Sequence, residues 1–199
     1  MSSWVAHVLI VLSIVCIVSP SLPAQTAGQE SVRDQESSGA LQTIAERSEF
    51  TATARHADVI EFCQQLAARS KAVELAELGK SFEGRSLPLL IIADPPLKTP
   101  AEAAKSKKLV VFAMGNIHAG EVCGKEALLM LARDLVSGGK QPLLKDLVVL
   151  FAPIYNADGN ERFAPDHRPG QIGPEQMGQR SNAQGLDLNR DHIKLESPE

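Results

Sequence analysis

The chain has 199 residues, with 20 Lys or Arg against 24 Asp or Glu, and its formal net charge is −4. This length corresponds to one domain or slightly more. A mildly acidic chain without clusters of basic residues argues against nucleic-acid binding, so we expect no nucleic acid among its partners.

The N-terminus has the pattern of a secretory signal peptide. Residues 1–24 contain no Asp, Glu, Lys or Arg, and residues 8–18 form an apolar run interrupted only by Ser13. Such a run is too short to span a bilayer but has the length of the hydrophobic region of a signal peptide. The small residues of SPSLPA predict cleavage after Ala24. We therefore expect a secreted or periplasmic protein with no stable membrane span after cleavage.

A flexible linker is predicted to follow, over residues 25–45. Its first part, 25–40, is rich in Gln, Ser, Glu and Gly and has almost no apolar side chains. This composition is typical of a tether, because it cannot bury enough apolar surface to fold. The folded part is expected to begin between residues 41 and 50, and we assign the domain to residues 46–199.

The first predicted elements of the domain are a helix and a hairpin. Apolar side chains at i, i+3, i+4 and i+7 predict an amphipathic helix, and they are Val59, Phe62, Cys63 and Leu66. Residues 73–78 and 87–93 are strand-like and are joined by the turn-rich SFEGRS, which predicts a hairpin. Prolines at positions 95, 96 and 100 then mark a loop.

Strands alternate with helices in the rest of the chain. Residues 109–112 are a β-branched and aromatic run, which predicts a buried strand. From Glu121 the pattern is helical as far as Gly138 and Gly139, with an apolar stripe of Leu128, Leu131, Ala132 and Leu135. Residues 147–152 predict another strand. This alternation indicates an α/β sandwich.

The string HAGE, at residues 118–121, is a candidate metal site. His118 and Glu121 lie at the predicted junction between a strand and a helix, where both side chains can reach one ion. Catalytic zinc commonly has three protein ligands, with His, His and Glu among the usual sets. The spacing also arises by chance, and the alternative is a surface His followed by a Glu that interacts favourably with the helix dipole.

A second string, GLDLNR at residues 185–190, supports the metal interpretation. Together with HAGE it resembles the zinc carboxypeptidase family, the M14 peptidases. GKSFEGRSLP at 79–88, NADG at 156–159 and QRSN at 179–182 stand in the family's order. Ala157 departs from the family's usual Asn-Pro-Asp-Gly. The resemblance covers roughly residues 79–190, and it implies a three-layer α/β sandwich with a mixed sheet flanked by helices.

The resemblance also implies a metal site with one Zn²⁺ ion. His118 and Glu121 would be zinc ligands. Asp187 would accept a hydrogen bond from the other ring nitrogen of His118 and so fix its tautomer. The alternative for Asp187 is a helix cap.

Substrate contacts follow from the same motifs. Asn189 and Arg190 would bind the C-terminal carboxylate of a peptide, because a guanidinium binds a carboxylate bidentately. Arg180 would be catalytic, stabilising the negative charge that develops on the scissile carbonyl oxygen. The alternatives are an ion pair at a helix end for Arg190 and a solvated loop charge for Arg180. Many family members have Arg immediately before the ligand Glu, but this chain has Gly120.

The family's third zinc ligand and its catalytic Glu lie well downstream of GxDxNR. His167 and His192 do not match the third-ligand motif. We therefore interpret residues 46–199 as the N-terminal part of a catalytic domain that is truncated at its C-terminus. This part alone is expected to be inactive and to hold zinc weakly.

The sequence therefore predicts a zinc-dependent metallocarboxypeptidase that hydrolyses the C-terminal peptide bond of peptides or proteins. One alternative is a zinc deacylase that acts on N-acyl amino acids. Another is a non-catalytic module that binds peptide C-termini. Cys63 and Cys123 can form a disulfide in an oxidising compartment, or Cys63 can pack as a buried thiol.

Overall fold

The structure is a computed structural model, which describes residue 39 and residues 41–199. The predicted signal peptide and most of the predicted linker lie outside these residues. None of the helices within them is long and apolar enough to cross a membrane.

Helices and strands alternate along the described chain. The elements are α1 (Ile44–Arg47), α2 (His56–Arg69), β1 (Val73–Lys80), β2 (Ser86–Ile92), α3 (Pro100–Ser106), β3 (Leu109–Met114), α4 (Val122–Ser137), a 3-10 helix (Gln141–Lys145), β4 (Leu147–Ala152), α5 (Ala157–Glu161) and α6 (Leu188–Asp191). Helices α1 and α3 begin at capping boxes formed by Thr43 and Thr99, which satisfy amide groups that have no partner within the helix.

The four strands form one mixed sheet in the order β1-β2-β4-β3. Strand β2 is antiparallel to both β1 and β4, whereas β3 runs parallel to β4. The helix α4 provides the crossover between the parallel pair, as such a connection requires. This mixed sheet flanked by helices confirms the predicted α/β class.

The core lies on both faces of the sheet because alternate residues of a strand point to opposite faces. One cluster packs Leu90, Ile92 and Phe151 against helices α2 and α4. On the other face, Leu89, Ile91, Ala93, Val148 and Leu150 form a second cluster. Strands β2 and β4 are therefore buried on both sides, which explains their nearly continuous apolar sequences.

Most predicted elements are confirmed, with three corrections. Pro100 was expected to mark a loop, but it is the first residue of helix α3. Residues 109–112 were expected in a buried strand, but β3 lies at the edge of the described sheet, with Leu109 56% exposed and Val111 36% exposed. Leu131 was assigned to the buried stripe of its helix but is 37% exposed, and Leu129 occupies the buried position instead. The pattern of apolar residues predicts the type of each element but not which other elements pack beside it.

The end of the predicted linker packs against the domain. Leu41 and Ala45 are buried, and helix α1 begins at Ile44. Arg133 of helix α4 donates to the carbonyl oxygen of Leu41 at 2.9 Å and pairs with Glu46 at 2.7 Å. Residues 41–45 thus belong to the folded part.

Cys63 is a buried, free thiol and forms no disulfide with Cys123. Burial raises the pKa of its thiol to about 12, because the charged thiolate is disfavoured away from water. Cys63 therefore packs as a small apolar residue in the core.

Asp158 of the NADG string joins helix α5 to the β1–β2 hairpin. Its carboxylate is fully buried and accepts hydrogen bonds from Ser81 Oγ at 2.6 Å, the amide of Glu83 at 2.9 Å and Arg85 Nη1 at 2.6 Å. Burial alone would raise the pKa of Asp158, but these hydrogen bonds outweigh it and hold the pKa below the ordinary value. The hairpin turn is thus fixed to the loop that follows β4.

Replacing Asp158 with Ala should lower the free energy of unfolding by about 3 kcal/mol, the lower end of the range for breaking a buried ion pair. We choose the lower end because Arg85 keeps 31% of its side chain exposed. Urea denaturation at pH 7 measures this change. The exposed Asp146 provides the control, because Asp146→Ala should change stability by less than about 0.5 kcal/mol.

The stabilisation by Asp158 should also depend on pH. Because its folded-state pKa lies below the usual value of about 3.9, the contribution is complete above about pH 4 and is lost as the pH falls through the folded-state pKa. The stability difference between wild type and Asp158→Ala should therefore narrow in acid. An equal difference at pH 7 and pH 3 would contradict this account.

Candidate metal and substrate site

The loop between β3 and α4 carries the two candidate metal ligands. At its start the backbone approaches helix α4 so closely that a Cβ atom on Gly115 would lie 2.9 Å from the carbonyl carbon of Gly124. Asn116 follows with a φ of 64°, a left-handed conformation that Asn adopts more readily than most residues. Its amide donates to the carbonyl oxygen of Ala119 at 3.1 Å. These constraints fix the turn that holds His118.

The imidazole of His118 lies between two carboxylates. The side chain is almost completely buried, with its Nδ1 atom 3.1 Å from Glu121 Oε1 and its Nε2 atom 2.9 Å from Asp187 Oδ1. A neutral ring donates through only one nitrogen. If Nε2–H donates to Asp187, the lone pair of Nδ1 faces a carboxylate oxygen, and a cation must lie between them. That cation is either a proton or a metal ion.

The pair formed by His118 and Glu121 fits a zinc ion. Two atoms bound to one tetrahedral zinc lie about 3.3–3.5 Å apart, close to the 3.1 Å between Nδ1 and Oε1. Asp187 contacts the other ring nitrogen, which is the arrangement that orients a metal-binding His. Within the described residues no group of three or more His, Cys, Asp or Glu side chains could hold a metal. The described chain thus offers two ligands.

Asp187 organises the second half of the site. Its carboxylate caps helix α6 by accepting from the amide of Asn189 at 3.0 Å, so the predicted cap and the contact with His118 coexist. Arg180 donates to the same carboxylate through Nε at 3.1 Å and Nη2 at 2.8 Å. Burial raises the pKa of Asp187, but the hydrogen bonds from His118, Arg180 and Asn189 outweigh it and lower the pKa to about 2. The carboxylate stays ionised at neutral pH.

Asn189 and Arg190 lie on the exposed side of the short helix α6. Arg190 Nη1 donates to the carbonyl oxygen of Asn189 at 3.0 Å. Arg190 forms no ion pair with any residue from 41 to 199, so the alternative of a helix-end ion pair finds no partner there. Its guanidinium remains accessible to a ligand.

Asn156, the first residue of NADG, connects the two halves of the site. It is completely buried, and its Oδ1 atom accepts from the amide of Gly159 at 2.9 Å. Its Nδ2 atom donates to the carbonyl oxygens of Arg180 at 3.1 Å and Ile117 at 3.4 Å. One side chain therefore holds the His118 loop against the Arg180 segment. The motif is visible in the sequence, but these long-range contacts of Asn156 are not.

Arg168 was not anticipated from the sequence. Its Nη2 atom lies 2.7 Å from Glu121 Oε1, and the neighbouring Gln171 donates to the carbonyl oxygen of Gly120 at 3.1 Å. Both belong to the loop after helix α5, which matches none of the motifs. No sequence signal distinguishes this Arg from other loop cations, because only the fold brings it to the metal-ligand loop.

Comparison with known proteins agrees with this arrangement. The family model described as zinc carboxypeptidase matches residues 59–197, which include both halves of the site. The chain belongs to the zinc carboxypeptidase family. Glu121 and Asp187, which belong to two of the strings that carry the resemblance, both contact the ring of His118.

Individual relatives support the same assignment. The chain is 32% identical over 137 residues to carboxypeptidase 2 of Trichophyton rubrum, covering 67% of this chain and 22% of that protein. It is 36% identical over 129 residues to carboxypeptidase E of Caenorhabditis elegans, covering 62% and 26%. The chain thus spans about a quarter of the length of these relatives.

A solved structure supports the fold alone. A crystal structure of thrombin activatable fibrinolysis inhibitor aligns with a TM-score of 0.54 at 20% identity, covering 80% of this chain and 39% of that one.

Asp187→Asn should weaken zinc binding roughly 10- to 100-fold, the usual effect of losing a group that orients a metal ligand. The measurement is zinc affinity by competition with a chelator, in a form of the enzyme that holds zinc. Asp166→Asn, in an exposed loop, is the matched control and should leave zinc affinity unchanged. Equal affinities for wild type and Asp187→Asn would remove Asp187 from this role.

Proposed function

We propose that this chain is part of a zinc-dependent metallocarboxypeptidase that removes C-terminal residues from peptides or proteins. The observation that supports this most strongly is the His118 ring, whose Nδ1 atom faces a carboxylate 3.1 Å away while Nε2 contacts Asp187. This geometry calls for a cation beside Nδ1. Family membership makes zinc the natural choice.

His118 and Glu121 would hold the zinc ion, with the third ligand and the general base supplied by other residues of the enzyme. When bound, zinc would supply a Lewis acid that polarises the scissile carbonyl and activates water. Asp187 would keep His118 in the tautomer with its proton on Nε2. Burial of His118 would prevent the ring from rotating away from this position.

Arg190 and Asn189 would bind the terminal carboxylate of the substrate. The guanidinium of Arg190 is exposed and lacks an ionic partner within residues 41–199, so it can form two parallel hydrogen bonds to a carboxylate. Arg180 would stabilise charge on the carbonyl oxygen. Its Nε and Nη2 atoms contact Asp187, which leaves Nη1 for the substrate.

The two alternatives differ from this proposal in the ligand that is bound and in whether it is cleaved. A deacylase acting on N-acyl amino acids would cleave a substrate with a single residue, and a binding module would retain the peptide without cleavage. The carboxypeptidase is favoured because the string GLDLNR supplies both Asp187, which contacts His118, and the accessible cation of Arg190.

Arg190→Ala should raise the KM for a blocked dipeptide with a free C-terminus roughly 10- to 100-fold, since a charged hydrogen-bonding partner is lost. The assay uses a zinc-loaded form of the enzyme that includes the third ligand and the general base, with this dipeptide, its C-terminal amide and an N-acyl amino acid as substrates. Arg47→Ala, at an exposed position of helix α1, is the control and should behave as wild type.

The outcomes separate the three functions. Preferential cleavage of the free dipeptide, lost in Arg190→Ala, supports the carboxypeptidase. Faster cleavage of the N-acyl amino acid would favour the deacylase. Zinc-loaded protein that binds the dipeptide without cleaving it would favour the binding module.

We also propose that the protein is exported, through a signal peptide at residues 1–24. The basis is the uncharged apolar start of the chain and the small residues before Ala24. Mass spectrometry of the mature protein should find Gln25 at its N-terminus. An intact Met1 on protein from the cytoplasm would contradict export.

A further inference from the structure

A cationic cavity of about 510 Å³ lies beside the metal-ligand loop. It is lined by His167, Arg168, Pro169, Gly170, Gln171 and Arg180. No carboxylate is among the lining residues, whereas two guanidinium groups are. The cavity therefore favours a negatively charged occupant.

Gly120 allows Arg168 to reach this position. A Cβ atom on residue 120 would lie 2.4 Å from Cγ and 2.8 Å from Cδ of Arg168, well inside van der Waals contact. The stem of Arg168 therefore occupies the space that a side chain at 120 would need. Gln171 also contacts this glycine, because its side chain donates a hydrogen bond to the carbonyl oxygen of Gly120 at 3.1 Å. The loop that carries Arg168 and Gln171 thus packs closely against Gly120.

Both guanidinium groups keep donors for a ligand. Among described residues, Arg168 forms side-chain hydrogen bonds only through Nη2, to Glu121. Arg180 uses Nε and Nη2 on Asp187. Each Arg has five N–H donors in a planar fork, so donors remain on both. The ion pairs to Glu121 and Asp187 hold the two planes in place before any ligand arrives.

The Nδ1 atom of His167 gives independent support for a ligand in the cavity. Its Nδ1 atom is buried without a hydrogen-bond partner among the described residues, although His167 also lines the cavity. Buried polar atoms normally have partners. A ligand in the cavity, or water that accompanies it, would supply one.

We propose that this cavity is a subsite for an acidic side chain of the peptide substrate, with Arg168 as its main specificity-determining residue. The inference rests on the proposed peptidase function, because it assumes a peptide ligand. Under that proposal the terminal carboxylate goes to Asn189 and Arg190, which are on helix α6. Arg180 goes to the carbonyl oxygen, and Arg168 is then left for a second carboxylate, which an Asp or Glu side chain carries.

The test compares two N-blocked dipeptides with free C-termini that differ only in Glu or Gln before the last residue. Calorimetry measures their binding to the protein, and a separate assay measures their hydrolysis by the zinc-loaded enzyme. Wild type should bind the Glu peptide roughly 10- to 100-fold more tightly, the range expected for hydrogen bonds between charged groups. A third peptide, the Glu peptide with a C-terminal amide, is tested against its Gln counterpart.

Three variants identify the source of the preference. Arg168→Gln should remove most of the Glu/Gln ratio, and Arg168→Lys should retain part of it, because the charge remains while the planar fork is lost. Arg162→Gln is the matched control, since Arg162 lies in the same loop but pairs with Glu83, away from the cavity. The ratio within each variant cancels any general loss of folding or zinc, which melting temperature and metal content report directly.

Equal binding of the Glu and Gln peptides to wild type would overturn the subsite. So would a ratio that survives Arg168→Gln. A preference for the free over the amidated peptide that is lost in Arg168→Gln would assign the cavity to the terminal carboxylate instead and would also overturn the proposal. Discrimination without hydrolysis would leave the subsite standing and refute the peptidase function, whereas hydrolysis without discrimination would do the reverse.

Discussion

The site depends on the placement of one imidazole between two carboxylates. His118 is almost fully buried and contacts Glu121 through Nδ1 and Asp187 through Nε2. The two carboxylates keep part of their exposure, 40% for Glu121 and 27% for Asp187, but their negative charges repel each other across the buried ring unless cations or donors compensate. The protein meets this requirement with a guanidinium at each outer end, Arg168 on Glu121 and Arg180 on Asp187.

The fold brings segments that are distant in sequence together to form this row of charges, which consists of Arg168, Glu121, His118, Asp187 and Arg180. The His118 loop follows strand β3, and Asn156 lies in the segment after β4. The side-chain amide of Asn156 donates hydrogen bonds to both the His118 loop and the Arg180 segment. Asp158, two residues further on, anchors the same segment to the β1–β2 hairpin. Both polar residues of the string NADG, Asn156 and Asp158, therefore hold other segments of the chain in place. The string sets the relative position of groups that are far apart in sequence.

The sequence predicted the fold class, the two long helices α2 and α4, the hairpin and the central strands because their signals are local. Periodicity identifies an element but not its neighbours, so the edge position of β3 and the exposure of Leu131 were missed. The same limit applies to the site. The motifs named His118, Glu121 and Asp187, whereas Arg168 reaches Glu121 across 47 residues through a loop without a recognisable pattern. The glycine at position 120 is visible in the sequence, but it does not indicate that the side chain of Arg168 packs there.

The row of charges has a further consequence for how the two cations can act. Arg168 and Arg180 are each held by a carboxylate that itself contacts His118, so neither guanidinium can move without altering the environment of the ring. A ligand that draws Arg180 away from Asp187 would weaken the hydrogen bonds that hold the pKa of Asp187 at about 2 and would thereby change how strongly Nε2 of His118 is bound. A ligand at Arg180 and a metal ion at His118 would therefore be coupled through shared hydrogen bonds. The coupling requires no movement of the backbone.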